Sequence, residues 1–497
     1  MHPPLPTVTE LRDAISHKRM SAVEATREAL DRATAINPRL NIFLELFPDR
    51  AIEQARAVDR AIAGGQPAGP LGGVPIALKD NMCLGSPALD YGKTTCGSKI
   101  LAEYRSPYTC TAAARLMEAG AVIIGKCNMD EFAMGSSGEH SAFGPTRNPW
   151  DPERVPGGSS SGSAAAVAAG IVPASLGSDT GGSIRQPAGL CNIVGMKPTY
   201  GRVSRYGLVA FASSLDQIGP FTRTVADCAA MLNVLCGHDP HDSTSAQRPP
   251  EDFGAELERG VEGLTIGVPR QAKSEANHPS VAGAVERAVK VYEGLGARAV
   301  EVDLPHTPHG IAAYYIINPA EASSNLARFD GIRYGHRAKL APREDLEDLY
   351  SKSRAEGFGR EVQRRIMLGT HVLSSGYYDA YYTTALKVRR KIKGDYDAAF
   401  EQGCHALLMP SSPTPAFKIG EKMNDPLAMY LEDVYTVGVN LAGLPGIVIP
   451  GGFGTVDGRE LPVGMQLVGP AFDESRLLRI ARMLERETGF GARMAVG

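Results

Sequence analysis

The sequence predicts an α/β fold: a single large mixed β-sheet covered by helices, interrupted by one helical insertion. Short apolar runs of strand length alternate with longer segments of helical period, the order that lays helices over the faces of a sheet. Glycine is abundant, 55 of 497 residues, while aromatic residues make up only 6%. That composition suits many short, closely packed elements, and the length supplies a large core.

Taken in order, residues 1–60 read as a helical segment packed on a core formed by residues 61–497. Thr7 with Glu10, and Ser21 with Glu24, have capping-box spacing ahead of apolar-periodic stretches. Residues 74–78 read as a short buried strand. A helix over 111–120 leads into a strand over 121–124. An alanine-rich helix over 163–170 leads into a strand over 171–176, where Pro173 cannot donate to a ladder. Residues 264–268, 281–296 and 299–302 form a strand–helix–strand unit. The polar, proline-rich stretch 239–253 is a loop, and about 319–401 is a largely helical insertion. Strands at 406–409, 446–450 and 463–468 precede a last helix over 474–487.

Composition narrows the function. With 55 acidic against 52 basic residues, the formal charge of −3 gives no reason to expect this chain alone to grip nucleic acid or an anionic membrane. The basic run from Lys387 to Lys393 has the spacing of a solvated helix face. The N-terminal sequence lacks the apolar stretch of a secretory signal, and the most apolar segment, 164–176, is too short to span a bilayer. The eight cysteines show no C-x-x-C spacing, so a zinc site is not expected and a reducing cytoplasm is. No G-x-x-x-x-G-K-[ST] loop is present, so the chain is expected to bind neither ATP nor another cofactor itself.

The chemistry lies in two glycine–serine loops and one lysine. Ser183 follows Gly181 and Gly182 and precedes a helix-compatible segment. Glycines let successive N–H groups, here those of Thr180, Gly181, Gly182 and Ser183, converge where a carbonyl oxygen becomes an oxyanion. Lys79 closes a buried strand, where burial lowers an ammonium's pKa and leaves an amine able to take a proton. Ser159, in the loop Gly157-Gly158-Ser159-Ser160-Ser161, can pass that proton, because a hydroxyl donates and accepts at once. Each element has a plainer alternative: a flexible linker, an N-cap serine, a lysine reaching to water. Together they describe an acyl-transfer machine without histidine.

These residues resemble the amidase signature family over 71–227. The Ser-cisSer-Lys triad of that family maps onto Ser183 as nucleophile, Ser159 as bridging serine and Lys79 as base. The stretches 128–135, 197–220, 321–334 and 374–382 are similar to the glutaminase subunits of bacterial tRNA-dependent amidotransferases. The resemblance implies hydrolysis of glutamine to glutamate and ammonia, and a cytoplasmic heterotrimer with two further amidotransferase subunits, B and C. The first of these partners would use ATP and Mg2+ to amidate a misacylated tRNA, Glu-tRNA(Gln) or Asp-tRNA(Asn), which this chain would not hold alone. The resemblance also implies Arg365 for the substrate's carboxylate, Asp433 for its amine, and Tyr314 as a pocket wall. Two positions depart from the pattern: Ser161 stands where glycine is common, and Asn318 where a small residue is usual. A stand-alone amidase acting on another small amide needs the same triad, and an idle scaffold needs none of it.

Overall fold

The structure is a computed structural model describing residues 6–86 and 91–495; residues 1–5, where the N-terminal segment begins, lie outside them. Eleven strands among the described residues form one sheet: β1 (Phe43–Leu46), β2 (Pro75–Lys79), β3 (Val122–Cys127), β4 (Ala174–Asp179), β5 (Val194–Lys197), β6 (Gln217–Thr222), β7 (Thr265–Pro269), β8 (Arg298–Val302), β9 (Ala406–Pro410), β10 (Gly446–Val456) and β11 (Arg459–Val468). Their order is β1-β3-β2-β4-β6-β5-β10-β11-β9-β7-β8. Two parallel trios, β3-β2-β4 and β9-β7-β8, are joined by antiparallel strands. The sheet is therefore mixed, as the alternation of elements predicts.

Both N-terminal capping boxes are formed, at the starts of the helices Val8–Ser16 and Ala22–Leu40. The first 60 residues are not wholly helical, however. After Asn41 ends the second helix in the left-handed region, β1 pairs antiparallel with β3 before Pro48 opens the helix Pro48–Ala63. Four residues between a C-cap and a helix-starting proline are too few to show a strand period. The expected strand over 171–176 lies further along, at β4. Pro173 has no N–H for the ladder, and pairing begins just after it. Composition hides β6, whose centre is Gly219-Pro220.

The alanine-rich helix Ser161–Ala168 is buried along its whole length. Gly162 is required there: a Cβ at that position would lie 2.3 Å from the Ile42 carbonyl oxygen. The helical region begins earlier than expected, at Gly310, with Pro319 inside the helix Gly310–Asn325. The helices Leu346–Gly357, Arg360–Val372 and Thr384–Glu401 follow, the last entered through a π-helical turn, Tyr378–Thr383. Large apolar side chains face outward along this region: Met367 (71% exposed), Leu368, Leu373, Tyr377, Tyr378, Tyr381 and Leu386. Among the described residues no helix is long and apolar enough to cross a membrane.

Candidate active site

The parallel pair β2 and β4 carries Lys79 and Asp179 at neighbouring C-terminal ends, the edge where open α/β sheets place their sites. Lys79 has no exposed surface. Its Nζ lies 2.7 Å from Ser159 Oγ, 2.9 Å from Ser160 Oγ, 3.0 Å from Ser178 Oγ and 3.2 Å from the Ser178 carbonyl oxygen. The Gly158–Ser159 peptide is cis. Burial lowers the lysine's pKa to about 7, against the opposing pull of Asp130, Asp179 and Asp216. Near neutral pH a substantial fraction is then an uncharged amine. Hydroxyls on several sides suit both states, because each accepts from an ammonium or donates to an amine. Ser160 and Ser178 are partners that the sequence reading missed. Ser178 lies one residue before the end of β4, a position that a strand-end register marks.

Ser183 sits on the turn that follows β4. It keeps 7% of its surface while Ser159 and Ser160 keep none, so the Ser183 hydroxyl is reachable and the other two are sealed. The Ser160 N–H donates to the Ser183 carbonyl at 3.2 Å, which ties the two loops together. Among the described residues no hydrogen bond joins the Ser159 and Ser183 hydroxyls; such contacts tighten when substrate fills a site. The N–H groups of Thr180, Gly181 and Ser183 donate to nothing among the described residues and are available to an oxyanion. Gly182, grouped with them from the sequence, is committed elsewhere: its N–H donates to Asp179 Oδ1 at 3.0 Å. Its role here is the turn itself, at φ +145°. Thr180 is fixed by its side chain, whose Oγ1 donates to Asp216 Oδ1 at 2.7 Å.

Beneath the turn lies a buried ion pair that the sequence reading also missed. Arg185 Nε and Nη2 each reach Asp179 at 3.0 Å, and Arg185 also binds Gln466, Asn440 and the Thr436 carbonyl. Burial works against the Asp179 charge, but Arg185 outweighs it and holds the carboxyl at about 2. Removing one partner of such a pair typically costs about 3–5 kcal/mol.

Arg365, Asp433 and Tyr314 are brought together. Each is nearly fully buried, and Arg365 and Asp433 both act electrostatically on the Tyr314 hydroxyl. The Tyr314 ring also faces the turn: a Cβ at Gly181 would lie 2.5 Å from its hydroxyl. Arg365 Nε donates to Glu361 Oε1 at 2.8 Å, and the guanidinium lies over the rings of Tyr315, Phe211 and Tyr430. Its two terminal nitrogens make no hydrogen bond among the described residues, which leaves a planar fork free for a carboxylate. Burial opposes the arginine's charge, but Glu361 more than restores it. Asp433 accepts from Ser136 Oγ at 2.5 Å, and burial pushes its pKa up to about 7. Among the described residues no group of three or more His, Cys, Asp or Glu is placed to hold a metal ion.

The Amidase family matches residues 24–478. A relative from Heliobacterium modesticaldum, the A subunit of a Glutamyl-tRNA(Gln) amidotransferase, is 54% identical over 488 residues, 98% of each chain. The protein of the same name from Carboxydothermus hydrogenoformans is 56% identical over 481 residues, 97% of each. The crystal structure of the corresponding Glutamyl-tRNA(Gln) amidotransferase chain from Thermotoga maritima superposes with a TM-score of 0.78 at 43% identity, covering 97% of this chain and 94% of that one. The peptide amidase of Stenotrophomonas maltophilia superposes with a TM-score of 0.81 at 32% identity, covering 97% of each. With the family matched along most of its length and close relatives matched end to end, this chain belongs to the amidase family.

Proposed function

We propose that this chain is the glutamine-hydrolysing subunit of a tRNA-dependent amidotransferase. Neutral Lys79 takes the proton of Ser183 through Ser159, and Ser183 Oγ attacks the carboxamide carbon of glutamine. The N–H groups of Gly181 and Ser183 receive the developing oxyanion, each such donor contributing roughly 3–4 kcal/mol in a transition state. The proton returns through Ser159 to the leaving nitrogen, the C–N bond breaks, and ammonia departs. Water then attacks the acyl-serine, giving up its proton along the same route, and glutamate leaves with Ser183 restored.

The observation that carries the reading is the pairing of a free arginine fork with a buried carboxylate around Tyr314, near the nucleophile's turn. An α-amino acid brings one charge for each. In this reading the B and C partner subunits complete a cytoplasmic heterotrimer. The B partner uses ATP and Mg2+ on the misacylated tRNA, Glu-tRNA(Gln) or Asp-tRNA(Asn). The near-neutral charge of this chain supports placing tRNA recognition elsewhere. The likeness to a peptide amidase supports a second reading, a stand-alone amidase.

One experiment separates them. Arg365→Ala should cut kcat/KM for glutamine at least tenfold, the effect of losing a charged hydrogen bond worth about 1.5–3 kcal/mol. It should leave a simple neutral amide nearly unaffected. Equal losses on both substrates, with no response of the wild-type chain to the two partner subunits, would favour the stand-alone amidase.

A further inference from the structure

The helix Arg185–Cys191 opens directly after the turn that carries Ser183, and Gln186 is its second residue. The Gln186 N–H donates to the Gly182 carbonyl at 2.8 Å, which seats it on that turn. Its side chain is fully buried and reaches two other loops. Oε1 accepts from the Gly158 N–H at 3.1 Å, and Nε2 donates to the Ser136 carbonyl at 2.8 Å. Both partners are backbone groups of fixed polarity, so only one orientation of the carboxamide satisfies them. The fit is close: a Cβ at Gly157 would lie 2.5 Å from Gln186 Oε1. Gly158 directly precedes Ser159. Ser136, on the other side, donates its hydroxyl to Asp433. One carboxamide therefore stands between the Ser159 loop and the residue that holds the Asp433 carboxylate.

We propose that Gln186 is a positioning residue, which fixes the Ser159 loop and the Asp433 carboxylate relative to the turn that carries Ser183. The inference rests on the glutamine reading of this same site. Hydrolysis in that reading needs two alignments at once: a hydroxyl relay within reach of Ser183, and a carboxylate at the substrate's ammonium. Both depend on loops, and a loop holds a reactive group in place only where neighbouring side chains brace it. A buried carboxamide bonded at both ends is such a brace. A misplacement of about 1 Å can cost about 10²-fold in rate. Asp130 ties the same two loops independently: its N–H donates to the Ser159 carbonyl at 3.2 Å, and its carboxylate accepts from the Gly138 and His140 N–H groups at 2.9 Å each. Loss of the Gln186 side chain therefore loosens the alignment without undoing the fold. A simple amide carries no ammonium and needs only the first alignment.

The test uses the chain assembled with its partner subunits and compares wild type with Gln186→Met and Gln186→Glu on glutamine and butyramide. Turnover is read at its pH plateau and counted per competent site, by titration with a covalently reacting glutamine analogue. Gln186→Met keeps the length and loses both hydrogen bonds. It is expected to cut kcat about tenfold on both substrates and to raise KM about tenfold for glutamine, with KM for butyramide held within about twofold. Gln186→Glu keeps the acceptor for Gly158 and loses the amide donor to Ser136. Its kcat on butyramide should stay within about threefold of wild type, while KM for glutamine rises as in Gln186→Met. Unchanged kcat in Gln186→Met overturns the inference. So does a loss confined to the number of competent sites, which marks a residue that serves folding alone. Should Gln186→Met not fold, Gln186→Glu decides: an unchanged KM for glutamine, or a loss of kcat on butyramide of about tenfold, overturns the inference. A wild-type complex that prefers butyramide overturns the glutamine reading itself. Wild-type preference for glutamine that survives in both variants overturns only the role of Gln186.

Discussion

Lys79 is a buried amine held by hydroxyls, and in the proposed reaction it is the base, so its identity should matter beyond its charge. Arginine keeps the charge but does not deprotonate in a protein. Lys79→Arg should therefore lose about 10²–10⁴-fold in kcat, the usual worth of a general base. Turnover close to wild type would show that the position needs only a cation. Asp433 allows a pH test. Because burial raises its pKa to about 7, it is increasingly neutral below that pH, and the hold on a substrate ammonium that we propose for it should weaken. Lys79 titrates in the same range, but it affects every substrate alike. The ratio of kcat/KM for glutamine to that for a neutral amide cancels the lysine and should fall as pH drops below about 7. A flat ratio would remove Asp433 from substrate selection. The contact of Lys79 with Ser159 is legible in the sequence, since glycine-flanked serines and a strand-end lysine are unusual locally. Ser160, Ser178 and the Asp179–Arg185 pair are not, because nothing near them in sequence shows that chain closure will surround one amine and brace one turn.

At the scale of elements, the strand–turn–helix from β4 to Arg185–Cys191 carries Ser183, and Gly182 shapes its turn. Its φ of +145° is one that side chains rarely adopt, and a Cβ there would lie 2.3 Å from Thr436 Oγ1. Gly182→Ala should cost about 1–3 kcal/mol of stability from strain and overpacking. It should also depress kcat, because the turn carries the Ser183 N–H. Wild-type melting and turnover would show that the turn relaxes freely. Elements with clear signals are legible: both capping boxes, β2, β3 and the strand–helix–strand of β7 and β8 fall within a few residues of their sequence expectation. β1 and β6 escape for physical reasons. Four residues hold no period, and a glycine–proline centre looks like a turn until neighbours on both sides pair with it.

At the scale of the molecule, an α/β sheet is legible from alternation alone. The joining of two parallel trios through antiparallel strands is not, since strand order depends on contacts distant in sequence. One outward feature bears on how the chain behaves away from partners. Met367, Leu368, Leu373, Tyr377, Tyr378, Tyr381 and Leu386 are all exposed within one stretch of twenty residues, with Tyr377 and Tyr381 stacked at 5.8 Å. Exposed apolar surface of this kind favours association in water. The chain purified alone should thus show an apparent mass in light scattering that grows with concentration. Lysine at positions 367 and 378 together should abolish that growth without altering intrinsic hydrolysis of a neutral amide. A wild-type chain that stays monodisperse at high concentration would show the stretch to be inert. If it is adhesive, colloidal behaviour will set the working concentration of the isolated chain well before unfolding does.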